Sequence, residues 1–135
     1  TLYREKPHHI ELVNRLPQGI RIHADGMYIE NVLRNLVENA LKYADDGVEV
    51  TVTLSADARN LNVDVADNGW GIAPCHLKKI FRQFYQVPQT EERIRKGYGI
   101  GLAQSKYIID EHKGKISVRS TEGKGSTFSF SIPLE

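Results

Sequence analysis

The chain has 135 residues, 40% of them hydrophobic and 26% charged, an ordinary globular balance with enough length to bury a core unaided. Lys and Arg number 18 against 17 Asp and Glu, and a formal net charge of +1 gives no footprint for nucleic acid or for direct membrane contact. The single cysteine, Cys75, excludes an internal disulfide and suits a reducing compartment, while no apolar run approaches the ~20 residues that span a bilayer. Residues 1–135 read as one domain, and the start at Thr1 without methionine leads us to expect an excised piece of a larger protein.

Residues 9–14 and 20–23 read as short strands joined through Pro17 and Gly19. From 25 to 44 the pattern becomes helical, with Asp25 as N-cap and Ile29, Leu33, Leu36, Val37 and Ala40 as the apolar stripe. Residues 48–55 and 61–67 predict an antiparallel hairpin turned through 57–60. Pro74 suits a first helical turn, so a short helix is expected over 74–81. The polar, aperiodic stretch 84–98 is too long for a routine connection and reads as a lid. A second long helix is expected over 101–112, stopped by Gly114, before a hairpin of 115–121 and 126–133 turned by Glu122 to Gly125. This order lacks strict β-α alternation. It predicts an α+β two-layer sandwich, a mixed sheet with about three helices on one face.

The segment Asp67-Asn-Gly69-Trp-Gly71 closes the alternating run that begins at Leu61. In phase with Leu61, Val63 and Val65, the Asp67 carboxylate points to the face that should be buried, where it needs donors. Glycines beside a buried acid let backbone approach an amino-bearing heterocycle such as adenine. An ordinary Asx turn at the end of a strand is the plainer reading of the same residues.

On the first long helix Asn35 and Asn39 share a face, and at about 100° per residue Asn39, Lys42 and Tyr43 flank the apolar stripe. Two amide oxygens and an ammonium suit a hydrated magnesium ion and its phosphates, with the tyrosine ring as a stacking face. Alternatively this is a solvated flank in which Glu38 and Lys42 pair for ~0.3 kcal/mol. In Lys96-Gly97-Tyr98-Gly99-Ile100-Gly101-Leu102, alternating glycines open a helix, an arrangement that exposes N–H groups to phosphate or serves as a hinge. It matches neither a P-loop nor the dinucleotide fingerprint. Arg93, Arg95 and Lys96 lie just upstream, where they could close over a triphosphate.

Taken together, these segments resemble the ATP-binding catalytic domain of sensor histidine kinases. Asn35-Leu-Val-Glu-Asn39-Ala-Leu-Lys42-Tyr43 is similar to the family's N box, and Asp67-x-Gly69-x-Gly71 to its first glycine box. Ile80-Phe81-Arg-Gln-Phe84-Tyr85 resembles the F box, Gly97-x-Gly99-x-Gly101-Leu102 the second glycine box, and Gly123-Lys-Gly125-Ser-Thr-Phe128 the closing turn. The resemblance spans nearly the whole chain and implies the Bergerat ATP-binding sandwich shared with gyrase, heat-shock chaperone and mismatch-repair ATPases. It implies ATP and Mg2+ as cofactors. Asn39 would coordinate the metal, Asn35 would line the phosphate site, Lys42 would contact phosphate, and Tyr43 would pack on adenine. Asp67 would accept from the adenine amino group, Gly69, Gly71 and Ile72 would shape the base pocket, and Gly97, Gly99, Gly101 and Leu102 would meet the phosphates. Many family members carry Arg after the F-box Phe-Tyr; here Gln86 stands there, leaving Arg93 and Arg95 as candidates for the terminal-phosphate clamp.

The hydrolysing relatives place a glutamate, as general base for water, where this chain has Asn35, an amide that takes no proton at neutral pH. Glu38 is expected on another face of the helix. The resemblance therefore implies transfer to a histidine on a separate dimerisation and phosphoacceptor domain, and through it to a response regulator. His8, His9, His23, His76 and His112 lack the setting of a phosphoacceptor and read as structural or surface residues. A cytoplasmic domain follows, whose parent can be membrane-anchored. An anti-sigma-type serine kinase and a nucleotide-sensing module without transferase activity are the alternatives.

Overall fold

The computed structural model describes residues 7–82 and 102–135 of the chain. Five strands, β1 (His8–Asn14), β2 (Val48–Ala56), β3 (Asn60–Asp67), β4 (Lys115–Thr121) and β5 (Gly125–Pro133), form one sheet in the order β1-β2-β3-β5-β4. The β1–β2 pair is parallel and the others are antiparallel, so the sheet is mixed as expected. Helices α1 (Gly26–Lys42), α2 (Pro74–Leu77) and α3 (Ala103–Glu111) complete the α+β sandwich.

Strand alternation sets the core. The register aligns Val52 with Val65 and Val65 with Phe128, and places Leu54, Val63 and Phe130 in the next row. These side chains meet Val32, Leu36 and Ala40 of α1 and Ile108 and Ile109 of α3 in a single apolar cluster. The stripe predicted on α1 missed Val32, which is almost wholly buried, while Ile29, Leu33 and Val37 are only partly so. Asp25 caps α1 as predicted, its Oδ1 accepting from the N–H groups of Met27 and Tyr28 at 3.0 and 3.4 Å.

Several boundaries differ from expectation, and α1, expected to run to 44, ends at Lys42 with Tyr43 as its C-cap. Only Ile22 of the segment 20–23 joins the sheet, in an isolated bridge to Leu134. Pro133, just before that partner, has no N–H with which to extend a ladder. Helix α2 stops at Leu77 rather than 81, because the chain then turns to bring Ile80 fully inside and Phe81 partly inside the core. After α3 the left-handed residue is Lys113, with φ of 62°, not Gly114. The lid segment 84–98 and the start of the second long helix at Gly101 lie outside the described residues. Among the described residues, no helix is long and apolar enough to cross a membrane.

Candidate functional site

The apolar rows of the inner face give way at one end of the sheet to a polar one. Asp67 pairs with Val50 on one side and Ser126 on the other, and Ser126 pairs with Ser120. The sequence phase of Asp67 with Val63 and Val65 thus carries through to the structure. Its Oδ1 accepts from the N–H of Gly69 at 2.9 Å and of Ser126 at 3.3 Å. Oδ2 accepts from none of the described residues. Burial pushes the Asp67 carboxyl up to about 6, against the opposing pull of the Gly69 and Ser126 N–H groups.

The two glycines are required by what surrounds them. A Cβ at Gly69 would lie 2.3 Å from the carbonyl oxygen of Tyr43, and one at Gly71 would lie 2.2 Å from that of Thr121. Gly71 also sits at φ of 72°, in the left-handed region. Hydrogen bonds lock this loop between α1 and the last hairpin. Trp70 N–H donates to Tyr43 C=O at 2.9 Å, Gly123 N–H to Trp70 C=O at 2.6 Å, and Ile72 N–H to Ser120 Oγ at 2.7 Å. Ser120 Oγ in turn lies 2.8 Å from Ser126 Oγ.

Helix α1 brings the N-box residues to the same end. Asn39, expected on the flank of the apolar stripe, is buried, and among the described residues its Nδ2 has no hydrogen-bond partner. Neither end of that amide bonds to any described residue, an expensive arrangement unless a ligand completes it. Lys42, half-buried in the last turn of α1, makes no ion pair or hydrogen bond among the described residues. The Glu38–Lys42 pair of the plainer reading is therefore absent there. The ion pairs that form on these helix surfaces are Glu30–Arg34 and Lys106–Asp110, each at 2.7 Å. Tyr43, half-buried, meets the Trp70 indole edge-on at 6.2 Å between centroids, and Trp70 Nε1 donates to Asp45 Oδ1.

Asn35 faces α3, where its Nδ2 donates to the buried Ser105 Oγ at 2.9 Å. Glu38, expected on another face, lines the same small cavity of about 140 Å³ as Asn35, with Arg34, Gln104 and Ser105. The reason is geometric: residues three apart are separated by only about 60° around a helix. Leu102 is fully buried ahead of α3, and among the described residues no side chain caps the start of that helix. Ile72 is likewise buried in the core cluster. Arg93, Arg95, Gln86, Gly97, Gly99 and Gly101 lie outside the described residues.

Sequence reasoning missed Ser126, Ser120, Ser105 and Trp70. Ser126 was readable from its place directly after Gly125; the others carry no local signal. The unpartnered Asn39 amide offers one oxygen of the kind magnesium takes, and magnesium keeps several waters as its other ligands. Among the described residues no cluster of three His, Cys, Asp or Glu could hold a metal alone, so such an ion would rely on phosphate oxygens.

A family model described as histidine kinase-, DNA gyrase B-, and HSP90-like ATPase matches residues 24–135. The sensor protein SrrB of Staphylococcus aureus is 40% identical over 105 residues, which make up 78% of this chain and 18% of SrrB. The chain thus spans less than a fifth of that relative. The nucleotide-free catalytic domain of the histidine kinase ThkA is similar at 30% identity and a TM-score of 0.76, covering 96% of this chain and 79% of that one. Full-length ShkA in complex with AMPPNP is similar at 29% identity and a TM-score of 0.73, covering 93% of this chain and 26% of ShkA. The chain belongs to the histidine kinase-, DNA gyrase B- and HSP90-like ATPase family, within which it is homologous to the catalytic domains of sensor histidine kinases.

Proposed function

We propose that this chain binds Mg-ATP at the polar end of the sheet and donates the γ-phosphoryl group to a histidine on a separate dimerisation and phosphoacceptor domain. From there a response regulator takes it. On this reading residues 1–135 are one catalytic domain of a larger kinase, working on the cytoplasmic side.

The observation that carries the reading is the unfinished polar set at that end. Oδ2 of Asp67 and the Asn39 amide lack partners among the described residues, and so does the Lys42 ammonium. An adenine amino group would complete the first; phosphate and its metal would complete the others. Magnesium, when bound, would shield phosphate charge and polarise the bond to the leaving oxygen. Asn39 would hold it, Lys42 would neutralise phosphate, and Arg93 or Arg95 would steady the terminal group. The N-terminus of α3, which no side chain of the described residues caps, would orient the triphosphate together with Leu102 and the glycines before it. Asp67 fixes the base, and so sets where the γ-phosphorus lies.

Transfer rather than hydrolysis follows from Asn35. Its amide binds Ser105 and takes no proton from water. The attacking group is then an imidazole nitrogen of the acceptor: its N–P bond forms as the bond to the β-phosphate oxygen breaks. Calorimetric titration with ATP, with and without magnesium, tests the binding half of the proposal, and phosphohistidine formation on an added acceptor domain tests the transfer half. Failure of ATP to bind the folded chain would remove both.

A further inference from the structure

The sheet ends in β1 on one side and β4 on the other. Strand β4 carries exposed Lys115 and Arg119, cations of the kind that guard an edge against strand addition. Strand β1 has no such guard. Its 7 residues include no Lys, Arg or Pro, and its register against β2 runs unbroken from His8 to Asn14. The C=O of Pro7 and the N–H of Arg15 both bond to the β2 side, at Gly47 and Leu54. Backbone groups alternate along a strand, so those of Ile10 and Leu12 point to the outer edge, where no strand of the described residues meets them. The side chains of Ile10 and Leu12 align with core residues Val50 and Val52, yet are 43% and 64% exposed. His9 and Glu11, also exposed, lie on the opposite face.

We infer that β1 pairs antiparallel with β1 of a second copy of this chain, about a two-fold axis through Ile10. In that register the two Ile10 residues exchange N–H and C=O bonds in both directions, which is what the outward direction of their backbone groups allows. Ile10 and Leu12 gain cover on the helix-bearing face. On the other face, His9 of each copy stands opposite Glu11 of its mate, in the non-hydrogen-bonded position where side chains are closest. The adjacent register, centred on Glu11, offers equivalent backbone bonds but sets carboxylate against carboxylate. Avoiding that carboxylate–carboxylate contact, and setting an imidazole that can hydrogen-bond against each Glu11 instead, selects the Ile10 axis. The result is one sheet continuous across two domains, with the helices of both on the same face. This goes beyond the nucleotide chemistry and does not depend on it.

A pairing of this kind buries less than the ~1,200 Å² of a stable interface, so association of the free domain is weak and needs high concentration. Sedimentation velocity of the chain up to about 1 mM, the effective concentration a tether supplies, reads it directly. We expect reversible dimerisation. Ile10→Pro should abolish it while leaving the thermal melt in place, because the N–H it removes does not face β2. His9→Glu, which sets two carboxylates against each other on each side, should weaken dimerisation about tenfold or more. Adding Glu11→Lys to His9→Glu should restore it. A wild type that stays monomeric throughout, a dimer that survives Ile10→Pro, or a double variant that fails to recover would each overturn the inference.

Discussion

Asp67 Oδ1 accepts the backbone N–H of Gly69 at 2.9 Å, so the acid at the end of β3 forms the Asx turn of the plainer sequence reading. That turn uses one oxygen only. The ligand-binding reading needs the other, and the two are compatible in a single geometry. The same turn draws the Tyr43 carbonyl against Gly69 and ties the base-pocket loop to the end of α1.

Substituting Asp67→Asn should separate binding from folding. The amide oxygen can still accept from Gly69 and Ser126, but its NH2 would confront the adenine amino group. Loss of a charge-assisted hydrogen bond of roughly 1.5–3 kcal/mol corresponds to about a tenfold to hundredfold loss of ATP affinity, read by calorimetry. Unchanged affinity in a folded variant would place adenine elsewhere.

The raised Asp67 carboxyl also predicts a pH signature. Its folded value of about 6 lies above the ordinary 3.8, so the native state binds this proton more tightly than the unfolded chain does. This contribution to stability therefore falls as pH rises from 3.8 to about 6, and above that the buried charge is a standing cost. The nucleotide-free Asp67→Asn variant should lose that slope and gain stability relative to wild type at neutral pH, in denaturant titrations. ATP affinity of the wild type should run the other way, declining as pH is lowered through about 6 and the acceptor is protonated.

Asn39→Ala removes a buried amide that has no partner among the described residues, from a helix that alanine suits well. The variant should stay folded, and its ATP affinity should no longer respond to added magnesium. A normal magnesium response would take Asn39 out of the site.

Much of the fold was legible because periodicity and caps act locally. The cap at Asp25, the β2–β3 hairpin, the terminal hairpin and the inward phase of Asp67 all follow from neighbours within a few residues. What escaped depends on distant partners. Nothing local in β1 shows that it runs parallel to β2, or that β5 lies between β3 and β4. Ile80 ends α2 early through a burial that its own segment does not announce. At the candidate site, the inward phase of Asp67 and the place of Asn35 and Asn39 beside the apolar stripe of α1 were readable from type and spacing. Ser105 was not, because its role arises from the approach of α3 to α1.

Glu38 deserves a direct check, since the structure sets it beside Asn35 rather than on a remote face. Around α1 it lies about 100° from Asn39, with Asn35 between them. Glu38→Gln should leave the slow phosphate release of the isolated chain within about twofold of wild type, since general-base assistance would be worth ~100-fold or more. A drop of that size would identify Glu38 as the base for water.

The central claim, transfer in preference to hydrolysis, is tested most directly by following the γ-phosphoryl group of labelled Mg-ATP with the purified chain alone and after adding a matching dimerisation and phosphoacceptor domain. Negligible phosphate release by the chain alone is expected, then acid-labile phosphohistidine on the added domain, lost in Asn39→Ala. Rapid release that needs no acceptor, survives repurification and disappears in Asn39→Ala would show a true ATPase and contradict it.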